Sequence, residues 1–338
     1  MRRRALLGAG VGAGVAVAGG AFGVSQVLAE EPTVEAAGRP EDAAKAVKDV
    51  FDSESKTAGG WWRAYISVAG SDGSLVAAVD QESETVLEAW STNKIAVACA
   101  VLDKVDRGEA AIDQLLDVTE EIVSKDGDGI FGHDAAYPSH VTLGHVLANM
   151  LTVSDNTAVR LCGKVISADE VNRYLASKGF PNTQVEQKDD VADQFWLGKT
   201  TPAEQHGLLQ ALYKGEMVSK ESSDRIFNLT QAMEAFTDGI RLLLPTPSRF
   251  QVATKAGWLD DAADERCEIG MMFDAAGAPL LTYSIYAGEQ GAAGDFGAAH
   301  PANWARANMG KSFFKIVGEM SGDSSRAVPT PEYKPQNG

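Results

Sequence analysis

A serine and a lysine stand three residues apart at the start of an almost uninterrupted apolar run, EAWSTNKIAVACAVL. Ser91 and Lys94 would share one face of the helix that this run predicts, because residues three apart are neighbours on a helix surface. A lysine at the start of a buried helix costs desolvation energy unless it has a partner or a task. Acyl transfer would provide a task, since it needs a nucleophile and a base that takes the proton of that nucleophile. The alternative is a lysine whose stem runs along apolar surface to solvent.

Two further short patterns could contribute to the same site. Ser154–Asn156, an S-D-N tripeptide, opens another predicted helix, and Lys255–Gly257, a K-A-G tripeptide, lies on a predicted strand. A bare S-x-x-K is expected by chance roughly once in a chain of this size, and an S-D-N in roughly one such chain in twenty. The information therefore lies in the order of the three patterns, which begin at residues 91, 154 and 255.

The surrounding elements predict an α/β (α+β) fold. Apolar spacing in EDAAKAVKDVF predicts a first helix, and two strands joined at Asp72-Gly73 follow. Strands return in FQVATKAGWL, CEIGMMFDAAG and APLLTYSIYAG before a final helix in PANWARANMGKSFFKIVGEM. These strands can form one antiparallel sheet flanked by the N- and C-terminal helices, with residues about 91–235 as an inserted all-helical lobe. A cleft between sheet and lobe is the expected place for a site.

In these motifs the chain resembles the class A β-lactamase and penicillin-recognising serine hydrolase family, whose signature is S-x-x-K, S-D-N and K-T-G. GHVLANMLTVSDNTAVRL is similar to the helix that leads into S-D-N, and TTPAEQHGLLQALYKGEMVS is similar to the segment after the Ω-loop. GAAHPANWARANMG resembles the last-helix region of actinobacterial members. The resemblance covers residues 41–320, the predicted hydrolase domain, and implies a DD-peptidase/β-lactamase-like fold.

The resemblance implies a role for each motif residue. Ser91 would form the acyl-enzyme, and Lys94 would be its base, with a pKa lowered by burial and by Lys255. Ser154 would pass a proton to the leaving nitrogen. The backbone N–H groups of Ser91 and Trp258 would form the oxyanion hole, and Lys255 would face a substrate carboxylate. The implied substrate-binding residues are Asn156, Lys255, Gly257 and Trp258.

Two departures from the family pattern affect the expected chemistry. Ala256 replaces the hydroxyl residue of K-T-G, which would remove one hydrogen bond to a substrate carboxylate, worth about 1–2 kcal/mol. The glutamate that activates the deacylating water in class A enzymes falls, in the register of TQVEQKDD, at Asp189. Glu186 and Asp190 are competing candidates, and all three could equally be solvated loop acids.

The two ends of the chain differ in composition from its centre. Residues 1–29 combine three arginines, a glycine-rich apolar run and a final Val27-Leu28-Ala29, which predicts a twin-arginine-like signal peptide and a secreted protein. A single membrane anchor is the alternative. Residues 30–40 are predicted to be a linker, and the proline-rich residues 321–338 a disordered tail. The net charge of −17 argues against nucleic acid as a partner.

Neither cysteines nor histidines indicate a metal site. Cys99, Cys162 and Cys267 lack metal-ligand spacing, and the five histidines form no zinc-binding pattern, so neither metal nor cofactor is expected. The sequence leaves open whether Cys99 and Cys162 form a disulfide.

The leading prediction is a secreted, monomeric class A-type β-lactamase acting on a β-lactam or D-Ala-D-Ala-like peptide, without stable membrane insertion. A DD-peptidase or esterase of the same fold, or a penicillin-binding protein that deacylates slowly or not at all, is the alternative.

Overall fold

The computed structural model of the protein describes residues 38–321, apart from 126, 190, 192, 260–263, 293 and 296. The predicted signal peptide, almost all of the predicted linker and the predicted tail after residue 321 lie outside the described residues, as does Asp190. The strands are β1 Trp61–Ala69, β2 Leu75–Gln81, β3 Leu87–Glu88, β4 Leu115–Val118, β5 Ser139–Thr142, β6 Gln184–Gln187, β7 Phe195–Thr200, β8 Val252–Trp258, β9 Arg266–Phe273 and β10 Pro279–Gly288. The helices are α1 Pro40–Ala58, α2 Lys94–Asp106, α3 Leu143–Thr152, α4 Asn156–Gly163, α5 Ala168–Ser177, α6 Pro202–Tyr213, α7 Lys220–Gln231, α8 Thr246–Arg249 and α9 Pro301–Met320.

The main sheet joins strands from both ends of the described chain. Its five strands are antiparallel and follow the order β2-β1-β10-β9-β8. The β9–β10 hairpin turns at Gly277, whose φ of 86° is readily available to glycine. The predicted sheet of N- and C-terminal strands is therefore confirmed, and β8, which carries the K-A-G motif, is an edge strand.

One face of this sheet is covered by the first and last helices. Val47 and Phe51 of α1 belong to a buried cluster with Phe313 of α9 and with Ile66 and Ile285 of the sheet. Burying such side chains contributes roughly 1.5–3 kcal/mol each, which fixes the two helices against the strands. The flanking helices predicted from the spacing of apolar residues are confirmed.

The other face of the sheet meets a lobe built mainly from α2–α7. Helix α2 lies at its centre, and residues 94–102 are all buried, as the uninterrupted apolar run predicted. The lobe also contains short strands that the sequence pattern did not predict, and they form a β4–β5 pair and a β3-β7-β6 sheet. These strands are two to six residues long, too short for alternation to distinguish them from loops.

The three cysteines are buried and free. Cys99 and Cys162 both belong to the core of the helical lobe, and no disulfide joins them. Burial raises the pKa of each of the three thiols to about 12, which makes them unreactive at neutral pH. Within the described part of the chain, no helix combines the length and the apolar character needed to cross a bilayer.

A buried histidine at the interface of sheet and lobe makes stability depend on pH. His206 of α6 is 5% exposed, and its Nε2 lies 2.8 Å from the hydroxyl of Ser67 on β1. Burial lowers the pKa of His206 from 6.5 to about 4, so the folded state resists protonation that the unfolded chain accepts. This residue therefore subtracts stability as the pH falls below 6.5, and the loss is complete near pH 4.

Replacing this histidine should remove that part of the pH dependence. Between pH 7 and pH 4.5, His206→Gln should lose about 2–3 kcal/mol less unfolding free energy than the parent, because glutamine does not titrate. Urea unfolding at the two pH values measures the difference. Equal losses in parent and variant would show that His206 is protonated equally in the folded and unfolded states.

Candidate active site

The proposed nucleophile lies on a short 3₁₀ turn, Trp90–Asn93, that leads directly into α2. The two residues after Ser91 anchor this turn. The Thr92 hydroxyl lies 2.8 Å from the hydroxyl of Tyr286, and the Asn93 amide donates to the carbonyl oxygen of Leu197 at 2.6 Å. The Asn93 Oδ1 accepts a hydrogen bond from Gln205 at 2.6 Å. S-T-N-K thus contains two positioning residues between the serine and the lysine.

The K-A-G strand passes very close to this turn, and Gly257 makes the approach possible. A Cβ atom at position 257 would lie 2.6 Å from the backbone nitrogen of Ser91 and 2.8 Å from Cβ of Trp90. Real Cβ atoms essentially never come so close to other heavy atoms. Only glycine therefore lets β8 lie against the backbone N–H of Ser91, as a paired oxyanion hole with Trp258 would require.

Ser154 joins the three motifs. Its Oγ accepts a hydrogen bond from Nζ of Lys94 at 2.9 Å and another from Nζ of Lys255 at 3.0 Å. A hydroxyl has two acceptor lone pairs and one hydrogen, so the hydrogen of Ser154 remains available to a third partner. The residue has a φ of 59°, in the left-handed region that non-glycine residues seldom adopt. Strained backbone of this kind is often found at functional sites.

The two lysines are buried and lie near one another. Lys94 is 0% exposed, and burial, followed by the charge of Lys255, holds the pKa of Lys94 well below its ordinary value. Burial also lowers the pKa of Lys255 to about 8, although the nearby Cys267, Asp128 and Glu268 favour its protonated form. Burial and the charge of Lys255 thus favour the neutral amine of Lys94, whereas Lys255, with a pKa of about 8, is largely protonated at pH 7. The pKa of Lys94 is lowered as expected, and its causes, burial and the charge of Lys255, are the ones that the sequence indicated.

The central residue of S-D-N is structural. The Asp155 carboxylate accepts backbone hydrogen bonds from Ile130 at 2.7 Å, Phe131 at 2.9 Å and Ala158 at 3.0 Å. It thereby caps α4 and attaches the loop before residue 131 to that helix. Gly129 is required there, because a Cβ would lie 2.1 Å from the carboxylate of Asp155.

Asn156 completes the lysine environment. Its Oδ1 accepts a hydrogen bond from Nζ of Lys94 at 2.8 Å, and its side chain lines the cleft beside Ser91. Because the oxygen is engaged with the lysine, the amide NH₂ of Asn156 remains to donate. Ser91, Lys94, Ser154, Asn156 and Lys255 are therefore brought together in space, as their order in the sequence predicted.

A cleft of about 410 Å³ opens at Ser91. Trp258 lies on its wall, with its ring 5.9 Å from that of Phe236. Of the three acids considered for deacylation, Glu186 and Asp189 are both exposed, and only Glu186 is among the residues that line this cleft. The role of Asp189 in deacylation stays a prediction.

Ala256 lies on the opposite face of β8 from Lys255, because side chains alternate along a strand. It pairs with the buried Glu268 of β9 and does not line the cleft. Thr254 shares that face and donates a hydrogen bond to Glu268 at 2.6 Å. The effect of Ala256 on binding of a substrate carboxylate remains a prediction.

Several cleft residues were not found from the sequence. Glu88, three residues before Ser91, lies in the cleft, and burial followed by the charges of Glu186 and Glu265 raises its pKa. Trp90 also lines the cleft, and its indole donates to the Glu265 carboxylate at 2.6 Å. The sequence feature that could have identified Glu88 was its position three residues before the serine of S-x-x-K. Other lining residues are Ser124, Asp128, Val159, Arg160, Lys188, Phe195, Trp196, Leu197 and Gly198.

A metal would need a cluster of at least three histidine, cysteine or acidic ligands. Among the residues that the structure describes, no such cluster is present.

Solved β-lactamase structures have the same fold. The enzyme from Sphaerobacter thermophilus superposes with a TM-score of 0.66 at 21% identity, covering 81% of this chain and 97% of that one. The β-lactamase from Chitinophaga pinensis superposes with a TM-score of 0.67 at 18% identity, covering 80% of this chain and 98% of that one. An ancestral class A β-lactamase superposes with a TM-score of 0.64 at 19% identity, covering 80% of this chain and 99% of that one. Together with the antiparallel sheet and its flanking helices, these matches define the class A β-lactamase fold.

The sequence comparison identifies the family. The profile described as "Beta-lactamase enzyme family" matches residues 42–316, so the chain belongs to that family. The VEB-1 β-lactamase of Pseudomonas aeruginosa is 26% identical over 177 residues, which are 49% of this chain. The matched region spans 58% of the length of that relative.

Enlarging Gly257 should damage the site that it shapes. Gly257→Ala places a methyl group against the backbone of Ser91, so we expect a loss of about 1–3 kcal/mol of unfolding free energy from overpacking. Gly318→Ala in α9 is the matched control, because a Cβ there meets nothing within 4 Å. Urea unfolding of both variants measures the difference. Equal stability of the two variants would show that β8 and the Ser91 turn separate without cost.

Proposed function

We propose that the protein is a class A-type serine β-lactamase that acts through an acyl-enzyme on Ser91. The observation that carries this proposal is the Ser154 hydroxyl, which accepts hydrogen bonds from both buried lysines. Lys94 also donates to Asn156, which lines the same cleft as Ser91. A nucleophile, a candidate neutral base, a proton relay and a cation are thereby concentrated in one place.

Acylation follows from this arrangement. Neutral Lys94 takes the proton of the Ser91 hydroxyl as its oxygen attacks the lactam carbonyl carbon. The backbone N–H groups of Ser91 and Trp258 stabilise the resulting oxyanion. The C–N bond then breaks, and the proton passes from Lys94 through Ser154 to the leaving nitrogen. Ser154 suits this step because its own hydrogen is not used by either lysine contact.

Substrate binding uses the remaining motif residues. Protonated Lys255 attracts a substrate carboxylate, and its pKa of about 8 implies that this attraction weakens above pH 8. The NH₂ of Asn156 donates to the carbonyl oxygen of the substrate's amide side chain. The ring of Trp258 supplies an apolar wall near the proposed oxyanion hole.

Deacylation requires a carboxylate that removes a proton from the attacking water. We assign this role to Glu186, because it lines the cleft and Asp189 does not. Glu186 is exposed, so the water that it holds is less restrained than in an enclosed site. Deacylation is therefore expected to be slower than acylation, with a burst followed by slow turnover.

This imperfect water site also favours a second candidate function. A penicillin-binding protein of the same fold, or a DD-peptidase acting on D-Ala-D-Ala-like peptides, would share the acylation machinery and differ in the fate of the acyl-enzyme. Relative rates of deacylation with a chromogenic β-lactam and a D-Ala-D-Ala peptide separate the possibilities.

In either case we propose that the protein acts outside the cytoplasm, as the arginines and apolar run of residues 1–29 suggest.

Covalent labelling tests the nucleophile. Parent protein incubated with benzylpenicillin should gain the mass of one acyl group, because opening the lactam transfers the whole molecule to Ser91. Ser91→Ala should lose this mass gain entirely, whereas Ser124→Ala, which alters another cleft serine, should retain it. Intact-protein mass spectrometry provides the measurement. Labelling that survives Ser91→Ala would exclude the proposed mechanism.

Pre-steady-state kinetics tests the water-activating carboxylate. Glu186→Gln should lengthen the acyl-enzyme lifetime by about 10²-fold or more without slowing its formation, because only the second step needs this base. Asp189→Asn, a matched acid-to-amide change outside the cleft, should turn over like the parent. The opposite pattern would return the role to Asp189, and no effect in either variant would mean that deacylation uses neither carboxylate.

A further inference from the structure

The position of the edge strand β8 decides where two of the motif residues lie. Lys255 donates from β8 to the Ser154 hydroxyl at 3.0 Å, and Gly257 lies against the backbone of the Ser91 turn. Among the described strands, β8 pairs with β9 alone, so backbone hydrogen bonds hold it from one side only. A shift of about 0.5 Å would disturb both contacts, so a precise site needs further support for this strand.

A buried carboxylate lies behind β8, on the face of the sheet that is turned away from the cleft. Glu268 of β9 is 0% exposed and pairs with Ala256 in the strand register. Its Oε1 accepts a hydrogen bond from the Thr254 hydroxyl at 2.6 Å, and its Oε2 accepts one from the backbone N–H of Ile240 at 3.1 Å. Hydrogen bonds to an ionised carboxylate are roughly twice as strong as neutral ones. Glu268 therefore joins β8 and β9 to the loop between α7 and α8.

The backbone around Ile240 closely surrounds this carboxylate. A Cβ atom at Gly239 would lie 1.8 Å from Oε2 of Glu268. On the other side, a Cβ atom at Gly310 of α9 would lie 1.9 Å from the carbonyl oxygen of Ile240. Glycine at both positions lets the loop lie between the carboxylate and α9, so neither the loop nor the carboxylate has room to move.

Arg306 of α9 supplies the counter-charge. Its side chain is 1% exposed, and its Nε lies 3.6 Å from Oε2 of Glu268. An isolated ionised carboxylate is costly to bury, and a buried cation beside it offsets part of that cost. Burial lowers the pKa of Arg306, and the charge of Glu268 opposes this decrease. The ion pair thus adds α9 to the elements that Glu268 connects.

The charge of Glu268 also acts on the site side of the sheet. The titratable groups around Lys255 are Lys94 on α2, Asp128 between β4 and β5, and Cys267 and Glu268 on β9. Burial lowers the pKa of Lys255 to about 8, and its acidic neighbours oppose this decrease. The Cys267 thiol is neutral at that pH because its own pKa is about 12, and Asp128 lines the cleft, where solvent screens its charge. Glu268 is the fully buried carboxylate of this group, so its charge is screened least.

We propose that Glu268 is a positioning residue of the active site, whose carboxylate fixes β8 from the far face of the sheet and thereby holds Lys255 and Gly257 against the helical lobe. Its charge also favours the ammonium group that would attract a substrate carboxylate. The consequence for catalysis rests on the acyl-enzyme function proposed above, whereas the position of β8 and the charge of Lys255 can be measured without substrate.

Two variants separate the hydrogen bond from the charge. Thr254→Val removes the hydroxyl that donates to Glu268 and keeps the carboxylate. Glu268→Gln keeps the shape of the side chain and removes its charge. Glu216→Gln, which changes an exposed glutamate outside the cleft, is the matched control.

NMR titration of the full-length protein labelled with [ε-¹³C]lysine measures the charge of Lys255, whose resonance is assigned by its loss in Lys255→Arg. In Glu268→Gln the midpoint of about 8 should fall by at least about half a pH unit, because a buried negative charge no longer favours the ammonium form. Thr254→Val and the control should keep the midpoint of the parent. A residue that only supported the fold would not move this midpoint.

Hydrogen exchange measures the position of the strand. Backbone amides of β8 that donate to β9 should exchange at least about tenfold faster in Thr254→Val and in Glu268→Gln, whereas those of β1 should keep the rates of the parent. Acylation by benzylpenicillin at pH 7 should slow at least about fivefold in both variants. Its decline at alkaline pH should begin at a lower pH in Glu268→Gln only.

A Lys255 midpoint in Glu268→Gln equal to that of the parent, or unchanged exchange of β8 in Thr254→Val, would overturn the proposal. If Glu268→Gln does not fold, the exchange of β8 in Thr254→Val decides the matter alone. A parent protein that benzylpenicillin does not acylate would refute the acyl-enzyme function, and the titration and exchange results would still decide the role of Glu268.

Discussion

The candidate site depends on two buried amines that meet at one hydroxyl. Lys94 begins α2, Ser154 precedes α4 and Lys255 lies on the edge strand β8, so their contacts join three elements that are remote in sequence. Two ammonium groups that both lie within hydrogen-bonding distance of one buried hydroxyl would repel one another strongly. Neutralising one of them relieves that repulsion, and Lys94 is the more perturbed. The same constraint that makes the arrangement costly therefore favours a neutral amine at Lys94, which the proposed acylation step would use as its base.

Neighbouring residues hold these elements in place. Asn93 connects the turn that carries Ser91 to β7 through a carbonyl oxygen, and Asp155 joins α4 to the loop before residue 131 through three backbone donors. Gly257 and Gly129 allow backbone approaches that any Cβ would block. Some motif residues therefore face the cleft, and others hold those residues in position. A precise site needs such support.

Carboxylates from two short strands line this cleft. Glu88 on β3 and Glu186 on β6 flank the central strand β7, and burial, followed by the charges of Glu186 and Glu265, raises the pKa of Glu88. The acids come from short paired strands, so the hydrogen bonds of the β3-β7-β6 sheet determine where they lie.

The sequence by itself determined the fold class, the sheet of terminal strands, the buried α2 helix and the residues of the three motifs. These features are encoded locally, by apolar periodicity, by turn residues and by short motifs whose order could be compared with a family. The tertiary structure decided that Glu186 lines the cleft and Asp189 does not, and that Glu88 also lines it. The position of an acid in the sequence cannot show which of several nearby acids reaches a cleft, because that depends on how the strands pair. Cys99 and Cys162 illustrate the same limit: both sit in apolar helical patterns, yet only three-dimensional packing showed that they remain separate thiols.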